Sequence, residues 1–473
     1  MIDLNRYDIS EYDYRKTIKE LNDELKKLNN KVNCLYEENN HILEKNKKLE
    51  KEKNAILNSK SWKITKPLRM LTEHISENKH EIEQIESNNT TENNLDLESD
   101  YKKFKSYTSV YQDNIDFSKY KTDIKVLTFY LPQYHTFKEN DEWWGKGFTE
   151  WTNLKKSLPR FNNHYQPRIP HSDFGYYTLD NIETIEKQIN LAKQHGIYGF
   201  CFYYYWFSGK RLMEKPLDLF INSDINFPFC LCWANENWTR AWDGQKKDVL
   251  IKQDYSDADY EKFIIDLKKY LMDKRYIKIE NKPVIMVYNP KEIPDFKTTV
   301  QKWRFYAKKH GIGEIYIMSK CDLADESYKN TEFIDAEFDF PPQGIGREET
   351  HITGLDSKKI FNYKKVVDDM EYLYKKHYTL KPFYYSCTMG WDNSPRRKEN
   401  YTVYYNYSLE SFYRWVKLIV NETRKRNKKE NRFMFVNAWN EWCEGTYLEP
   451  DEKYGYSNIN TLSKAIFDLP FDK

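Results

Sequence analysis

Up to residue 120 the chain contains no glycine, a single proline (Pro67) and a single tryptophan (Trp62), although its 473 residues hold 15 Gly, 16 Pro and 13 Trp. A stretch so poor in turn residues and large core aromatics is excluded as a packed globular domain. Long apolar runs are lacking throughout. The longest, residues 197–207, falls well short of the roughly 18 residues a membrane-spanning helix needs. The opening MIDLNRYDISEYDY carries neither a basic nor an apolar segment, so a secretory leader is not expected there. The seven cysteines are scattered and odd in number, with no C-x-x-C pair. They predict reduced thiols in the cytoplasm rather than a disulfide framework. An excess of either charge is lacking too, since 75 Lys+Arg balance 73 Asp+Glu. The net charge of +2 leaves no electrostatic footprint for nucleic acid.

What is present divides near residue 120. With Ile18 at heptad position a, the d positions read Leu21, Leu28, Leu35, Ile42, Leu49 and Ile56. The a positions read Ile18, Leu25, Val32, Asn39, Asn46 and Lys53. Heptads sustained over 14–58 without Gly or Pro predict a coiled coil, against the plainer reading of one solvated helix. Leu at d with Asn at a favours a parallel homodimer, because a buried Asn is best satisfied by its symmetry mate. Residues 59–71, SKSWKITKPLRML, set four basic side chains around Trp62, Ile64, Leu68 and Leu71. They read either as a peripheral contact with an anionic membrane or as a hinge ended by Pro67. Residues 77–100 are polar, acidic and Asn-rich, and read as a disordered linker. The expected organisation is a coiled coil at 14–58, a basic hinge and polar linker at 59–120, and a catalytic domain at 121–473.

Beyond 121, eight short runs rich in β-branched and aromatic residues appear, at 125–131, 197–205, 228–233, 283–288, 314–319, 333–339, 382–388 and 432–439. Helical patterns separate most of them, at 181–195, 256–273, 296–310, 361–377, 408–427 and 458–467. Continuous apolar strands alternating with helices predict a parallel sheet covered on both faces. Eight such units predict a (β/α)8 TIM-type barrel of the α/β class, with an open doubly wound sheet as the alternative. The 133–180 segment is then a long insertion after the first strand.

Barrel enzymes place reactive groups where strands end. Here the exits read Tyr130-Leu131-Pro132-Gln133-Tyr134-His135, Tyr203-Tyr204-Tyr205-Trp206, Trp233-Ala234-Asn235-Glu236-Asn237-Trp238, Tyr288-Asn289-Pro290, Thr388-Met389-Gly390-Trp391-Asp392 and Asn437-Ala438-Trp439-Asn440-Glu441-Trp442-Cys443-Glu444-Gly445. Aromatic faces stack on the CH faces of sugar rings, while Asn and carboxylates bind hydroxyls in pairs. The profile is that of a carbohydrate site, unless the aromatics are simply core. Glu441-x-x-Glu444 offers two carboxylates on one side of a turn, the pair that glycosidic chemistry requires. Crowding would split their pKa values and keep one protonated near neutrality.

The segments NAWNEWCEGTYLEPD (437–451), YLPQYH (130–135), WWGKGFTEW (143–151) and CWANENWTRAWDG (232–244) resemble the WbsX family of bacterial glycosyltransferases. That family carries a domain similar to glycoside hydrolase family 99, and the resemblance spans about 123 to 469. It implies a (β/α)8 barrel and a retaining mechanism, with Glu441 as base on the sugar's own 2-hydroxyl and Glu444 as acid. Cys443 departs from the family 99 hydrolases, which carry His there. Glu236 is implied as a sugar-binding acid, with Glu150 and Trp151 in the long loop. The substrate-binding expectation thus covers Glu236, Trp233, Asn235, Trp238, Tyr130, Tyr134, His135, Glu150, Trp151, Trp391, Asn440 and Trp442.

The carboxylate pair does not say whether water or a sugar hydroxyl takes the glycosyl group. The cytoplasmic reading favours transfer in surface polysaccharide synthesis (O-antigen or capsule type) over a retaining, endo-α-mannosidase-like hydrolase. A non-catalytic carbohydrate-binding scaffold is the third reading. No G-x-G-x-x-G follows a strand, and the single plain D-x-D of the barrel part, Asp257-Ala258-Asp259, opens a helix. No cofactor and no metal are expected. The expected partners are a glycan or activated-sugar substrate, a second copy through the coiled coil, and assembly enzymes or the inner membrane face.

Overall fold

The computed structural model describes Lys26–Lys27, which are helical, and residues 110–471 apart from 162–163, 241–244, 324–331, 343–358, 378, 380 and 398. The chain divides into two compact units, Met1–Asn94 and Leu95–Lys473. Apart from Lys26–Lys27, the coiled coil expected at 14–58 lies outside the described residues, as do the basic segment 59–71 and the acidic linker 77–100.

The second unit is built on parallel strands: β1 (Lys125–Tyr130), β2 (Ile197–Phe207), β3 (Phe229–Trp233), β4 (Lys282–Val287), β5 (Tyr316–Lys320), β6 (Ala336–Phe338), β7 (Phe383–Tyr384 and Ser386–Thr388) and β8 (Phe433–Asn437). Each pairs in parallel with the next, and β8 pairs back to β1. The break in β7 falls at Tyr385, whose carbonyl still accepts from the Phe435 N–H at 2.8 Å. The nine strand segments therefore form a nearly closed barrel of eight passes. The return to β1 sets aside the open sheet. The ring of Phe129 on β1 lies 5.7 Å from Tyr203 on β2, 5.5 Å from Phe435 on β8 and 4.8 Å from Phe340 beyond β6. Side chains from such separate passes meet only in the barrel interior, so strand residues of the opposite parity face outward.

Helices cover that outer face: α3 (Ile182–Gln194), α4 (Lys215–Ile221), α5 (Asp257–Leu271), α6 (Phe296–Lys309), α7 (Tyr363–Lys376), α8 (Leu409–Arg426) and α9 (Ser457–Ile466), while the insertion after β1 holds α1 (Lys138–Trp144) and α2 (Glu150–Lys156). Helix α6 shows why they form. Asp295 caps its first turn by accepting from the Thr298 N–H at 2.9 Å, and Phe296, Val300, Trp303 and Ala307 recur on one buried face. Three helices carried no clear signal in the sequence: α1, α2 and α4. Each is only seven residues long, too short for a periodic stripe. Among the described residues no helix lies between β5 and β6.

The barrel unit begins ahead of 121. Gln112 donates its N–H to Tyr454, and Phe117 is buried, its ring stacked 6.1 Å from Phe467. Tyr111 and Tyr120 add contacts with His171 and Phe467, so residues counted with the linker from composition pack on the barrel. No helix among the described residues is long and apolar enough to cross a membrane.

Candidate functional site

A cavity of about 320 Å³ opens where the strands end. Its wall takes Tyr203 and Tyr205 from β2, Glu236 and Trp238 beyond β3, Tyr288 beyond β4, Phe340 beyond β6, Trp391, Asn393, Arg396 and Arg397 beyond β7, and Glu441 and Glu444 beyond β8. All of these are exit positions, as parallel strands require of a barrel mouth.

Arg396 stands at its centre. One terminal nitrogen donates to Glu444 Oε1 at 2.5 Å; the other reaches Glu441 Oε2 at 2.8 Å and Glu150 Oε1 at 2.5 Å. The Nε–H adds a bond to Glu150 Oε1 at 3.1 Å. One guanidinium thus holds three carboxylates from two parts of the chain, in the fork geometry that suits arginine rather than lysine. Burial opposes the Arg396 charge, but Glu150, Glu444 and Glu441 outweigh it and keep the group protonated. Burial also pushes Glu441 up to about 8 and raises Glu444; Arg396 pulls both down, while Glu150 pushes both up. Glu150 Oε2 is buried with no hydrogen-bond partner.

The turn bearing the pair is fixed from behind. The Glu444 backbone carbonyl accepts from the Asp392 N–H at 2.7 Å. Asp392 in turn accepts from His164 Nε2 at 2.7 Å and Gln166 Nε2 at 2.6 Å, with Arg168 at 4.0 Å. Burial alone would raise the Asp392 carboxyl; His164 and Arg168 hold it well below the usual range. Gly445 ends the turn at φ +65°, where a Cβ would sit 2.8 Å from Asp392 Cβ. Strain and overlap together predict that Gly445→Ala costs about 2–4 kcal/mol, seen as a lowered melting midpoint.

The expected site residues divide into two groups. Glu441, Glu444, Glu236, Trp238 and Trp391 line the cavity, and Glu150 reaches it through Arg396. The other eight lie behind it. Tyr130 donates to Gln188 at 2.7 Å, and Trp233 packs on Phe263 at 4.8 Å under the helices. Both have outward parity on their strands. Asn235 clamps β3's exit to β4's, donating to the Asn289 carbonyl and accepting from its N–H, both at 2.7 Å. Asn289 then donates to Glu236 Oε1 at 2.7 Å, so Asn235 acts on the cavity only through its neighbours. Asn440 ties the β8 exit to Leu131 by two bonds, and the Tyr134 hydroxyl donates to the Asn440 carbonyl. His135 Nδ1 donates to the Pro132 carbonyl at 2.9 Å, and Trp151 Nε1 donates to the Tyr177 carbonyl at 2.7 Å.

Trp442 stacks on Tyr447 at 3.8 Å and donates to Glu449. Glu449 also accepts from Trp439, Tyr177 and Gln188, and burial pushes it up to about 7. It is a buttress beneath the mouth that the sequence reading passed over, four residues beyond a glycine. Arg396, Arg397, Asn393 and Phe340 were missed as well, whereas Tyr203, Tyr205 and Tyr288 were read as strand exits without being singled out as site residues. For the arginines a signal existed: Asp392-Asn393-Ser394-Pro395-Arg396-Arg397 is the polar exit of the seventh run.

The profile of the family described as Glycosyltransferase WbsX matches residues 126–462. Two proteins named "Uncharacterized protein WxcX", from two strains of Xanthomonas campestris pv. campestris, are 37% identical over 351 residues, covering 73% of this chain and 50% of theirs. The chain spans about half the length of these curated relatives. A family 99 endo-alpha-mannosidase from Bacteroides thetaiotaomicron shares 13% identity at a TM-score of 0.46, covering 74% of this chain and 97% of that one. A glycoside hydrolase-like protein shares 14% identity at a TM-score of 0.47, covering 76% and 96%.

Proposed function

The chain belongs to the WbsX glycosyltransferase family, and from that footing we propose that it transfers a glycosyl group to a sugar hydroxyl in the assembly of a bacterial surface polysaccharide. The family match supports transfer, and the observation that carries the glycosidic chemistry itself is the pair Glu441 and Glu444, bridged by Arg396 at the mouth of the barrel. Trp391, Trp238 and the tyrosines supply flat apolar walls for a sugar ring, and Glu236 a hydroxyl acceptor.

In the proposed reaction Glu441 takes the proton of the donor's 2-hydroxyl. The oxygen closes on the anomeric carbon, giving a 1,2-anhydro sugar, as Glu444 protonates the departing oxygen. The acceptor hydroxyl then opens the ring, losing its proton to Glu444, while Glu441 returns its proton to the 2-oxygen. The two inversions give net retention. A base works best with a pKa near the operating pH, which is where burial, moderated by Arg396, puts Glu441.

The test is product analysis by mass. The purified chain is incubated with nucleotide sugars or lipid-linked sugars and glycan acceptors in ¹⁸O-water. An acceptor heavier by one sugar, without ¹⁸O, is expected. Free sugar carrying ¹⁸O would move the assignment to hydrolysis, and binding without turnover to a carbohydrate-binding scaffold.

A further inference from the structure

Outside the cavity, one group of side chains among the described residues has the composition of a metal site. Cys321 follows β5, Glu337 is the middle residue of β6, and His377 ends α7. One ligand atom from each lies within 4.8 Å of the other two. We propose that these three side chains bind a divalent cation of borderline softness, Zn²⁺ in kind, as a clasp on the outer face of the barrel.

The fold brings the three together for separate reasons. Phe338 points inward, its ring 5.8 Å from Phe435, so its neighbour Glu337 points outward. Glu337 pairs in register with Phe383 on β7, and the His377 ring packs on Phe383 at 4.6 Å. Cys321 donates its N–H to the Phe338 carbonyl at 2.7 Å, which fixes it beside β6. The donors come from three parts of the chain, so no short metal-ligand spacing in the sequence announces them.

Their chemistry suits zinc. Thiolate, imidazole and carboxylate are its three usual protein ligands, and three of them leave a fourth tetrahedral position for water. With metal–ligand bonds of about 2.0–2.3 Å, donor atoms stand roughly 3.5 Å apart. The observed separations, all within 4.8 Å, are of that order. A second observation points the same way: His377 Nε2 is buried without a hydrogen-bond partner, an unusual state for an imidazole nitrogen. On binding, the Cys321 thiol gives its proton to solvent as the sulfur–metal bond forms, and no electron changes hands.

The place in the fold suggests what the clasp does. β6 is the shortest unbroken pass, three residues long, and among the described residues no helix joins it to β5. A cation held by β5's end, β6 and α7's end ties that pass to both flanks.

The experiment uses the full chain, stripped with a chelator and titrated with Zn²⁺ against a colorimetric chelator. One equivalent is expected at micromolar free zinc or below, with a rise in melting midpoint. Cys321→Ser and His377→Gln should each weaken uptake by more than the 10–100-fold typical of losing an outer-shell partner. Both should melt like the metal-free wild type. With Co²⁺ in place of zinc, a thiolate-to-cobalt absorption band should appear in the wild type and His377→Gln, and vanish in Cys321→Ser. If one variant fails to fold, the other carries the test. The proposal is overturned if the wild type takes up no stoichiometric zinc, or if either folded variant binds it as tightly as the wild type.

Discussion

Glu441→Gln and Glu444→Gln are each expected to lower glycosyl transfer by ~10²–10⁴-fold while the barrel stays folded. An amide nearly matches a carboxyl in shape but cannot exchange a proton near neutrality. Circular dichroism and melting would check the fold; initial rates would check the loss. The two variants should part company on a donor whose leaving group is already acidic. There Glu444→Gln should recover much of its rate, since departure no longer needs a proton. Glu441→Gln should stay slow, because the 2-hydroxyl must still be deprotonated. A 2-deoxy donor should fail with the wild type for the same reason, whereas a carboxylate that attacked the anomeric carbon directly would tolerate it. Near-full activity in Glu441→Gln would remove it as the base, and near-full activity in both would place the chemistry elsewhere.

Removing Arg396 should change the pH dependence as well as the rate. Its guanidinium lies against Glu441, Glu444 and Glu150, and favours the charged forms of Glu441 and Glu444. Without it, burial and mutual repulsion prevail, countered only by Arg397 at Glu444, so both carboxylates of the pair hold their protons to higher pH. The proposed base is active when ionised. Arg396→Met should therefore move the rising limb of the pH–rate profile upward by roughly one to three units, the scale of a close charge pair at an effective dielectric near 20. Activity at neutral pH should drop while part of it returns under alkaline conditions. Arg396→Lys keeps the charge but not the fork, and should restore the limb's position more than the rate. Loss of the partner to three buried carboxylates should also cost about 3–5 kcal/mol of stability, read from chemical denaturation. An unshifted limb in a folded Arg396→Met variant would show that the contact does not tune the pair.

Fold and site were legible to different depths, and the reason lies in the range of the signals. A parallel strand buried on both faces is a continuous apolar run, and a covering helix repeats its apolar residues every three or four positions. Both patterns are local, so the eight passes and the major helices could be read along the chain. The exits could be read too, because Trp, Asn and Glu cluster where the apolar runs stop. Seven-residue helices such as α1 and α2 could not, since they hold too few residues to show a period. Neither could the break at Tyr385, because it leaves composition unchanged.

By itself, then, the sequence determined the alternation of strands and helices, the strand exits and the closeness of Glu441 to Glu444, all properties of neighbouring residues. Only the tertiary structure decided which exit residues face the cavity. Strand side chains alternate between inside and outside, and parity is settled by sheet closure, which turned Trp233 and Tyr130 toward the helices. The tertiary structure also decided that Glu150 and Arg396, 246 residues apart, meet. No local pattern encodes that contact. It exists because a loop after the first strand and a loop after the seventh fold over the same mouth, where a lone buried carboxylate would be costly and a shared arginine hydrogen-bonds all three and offsets part of their charge.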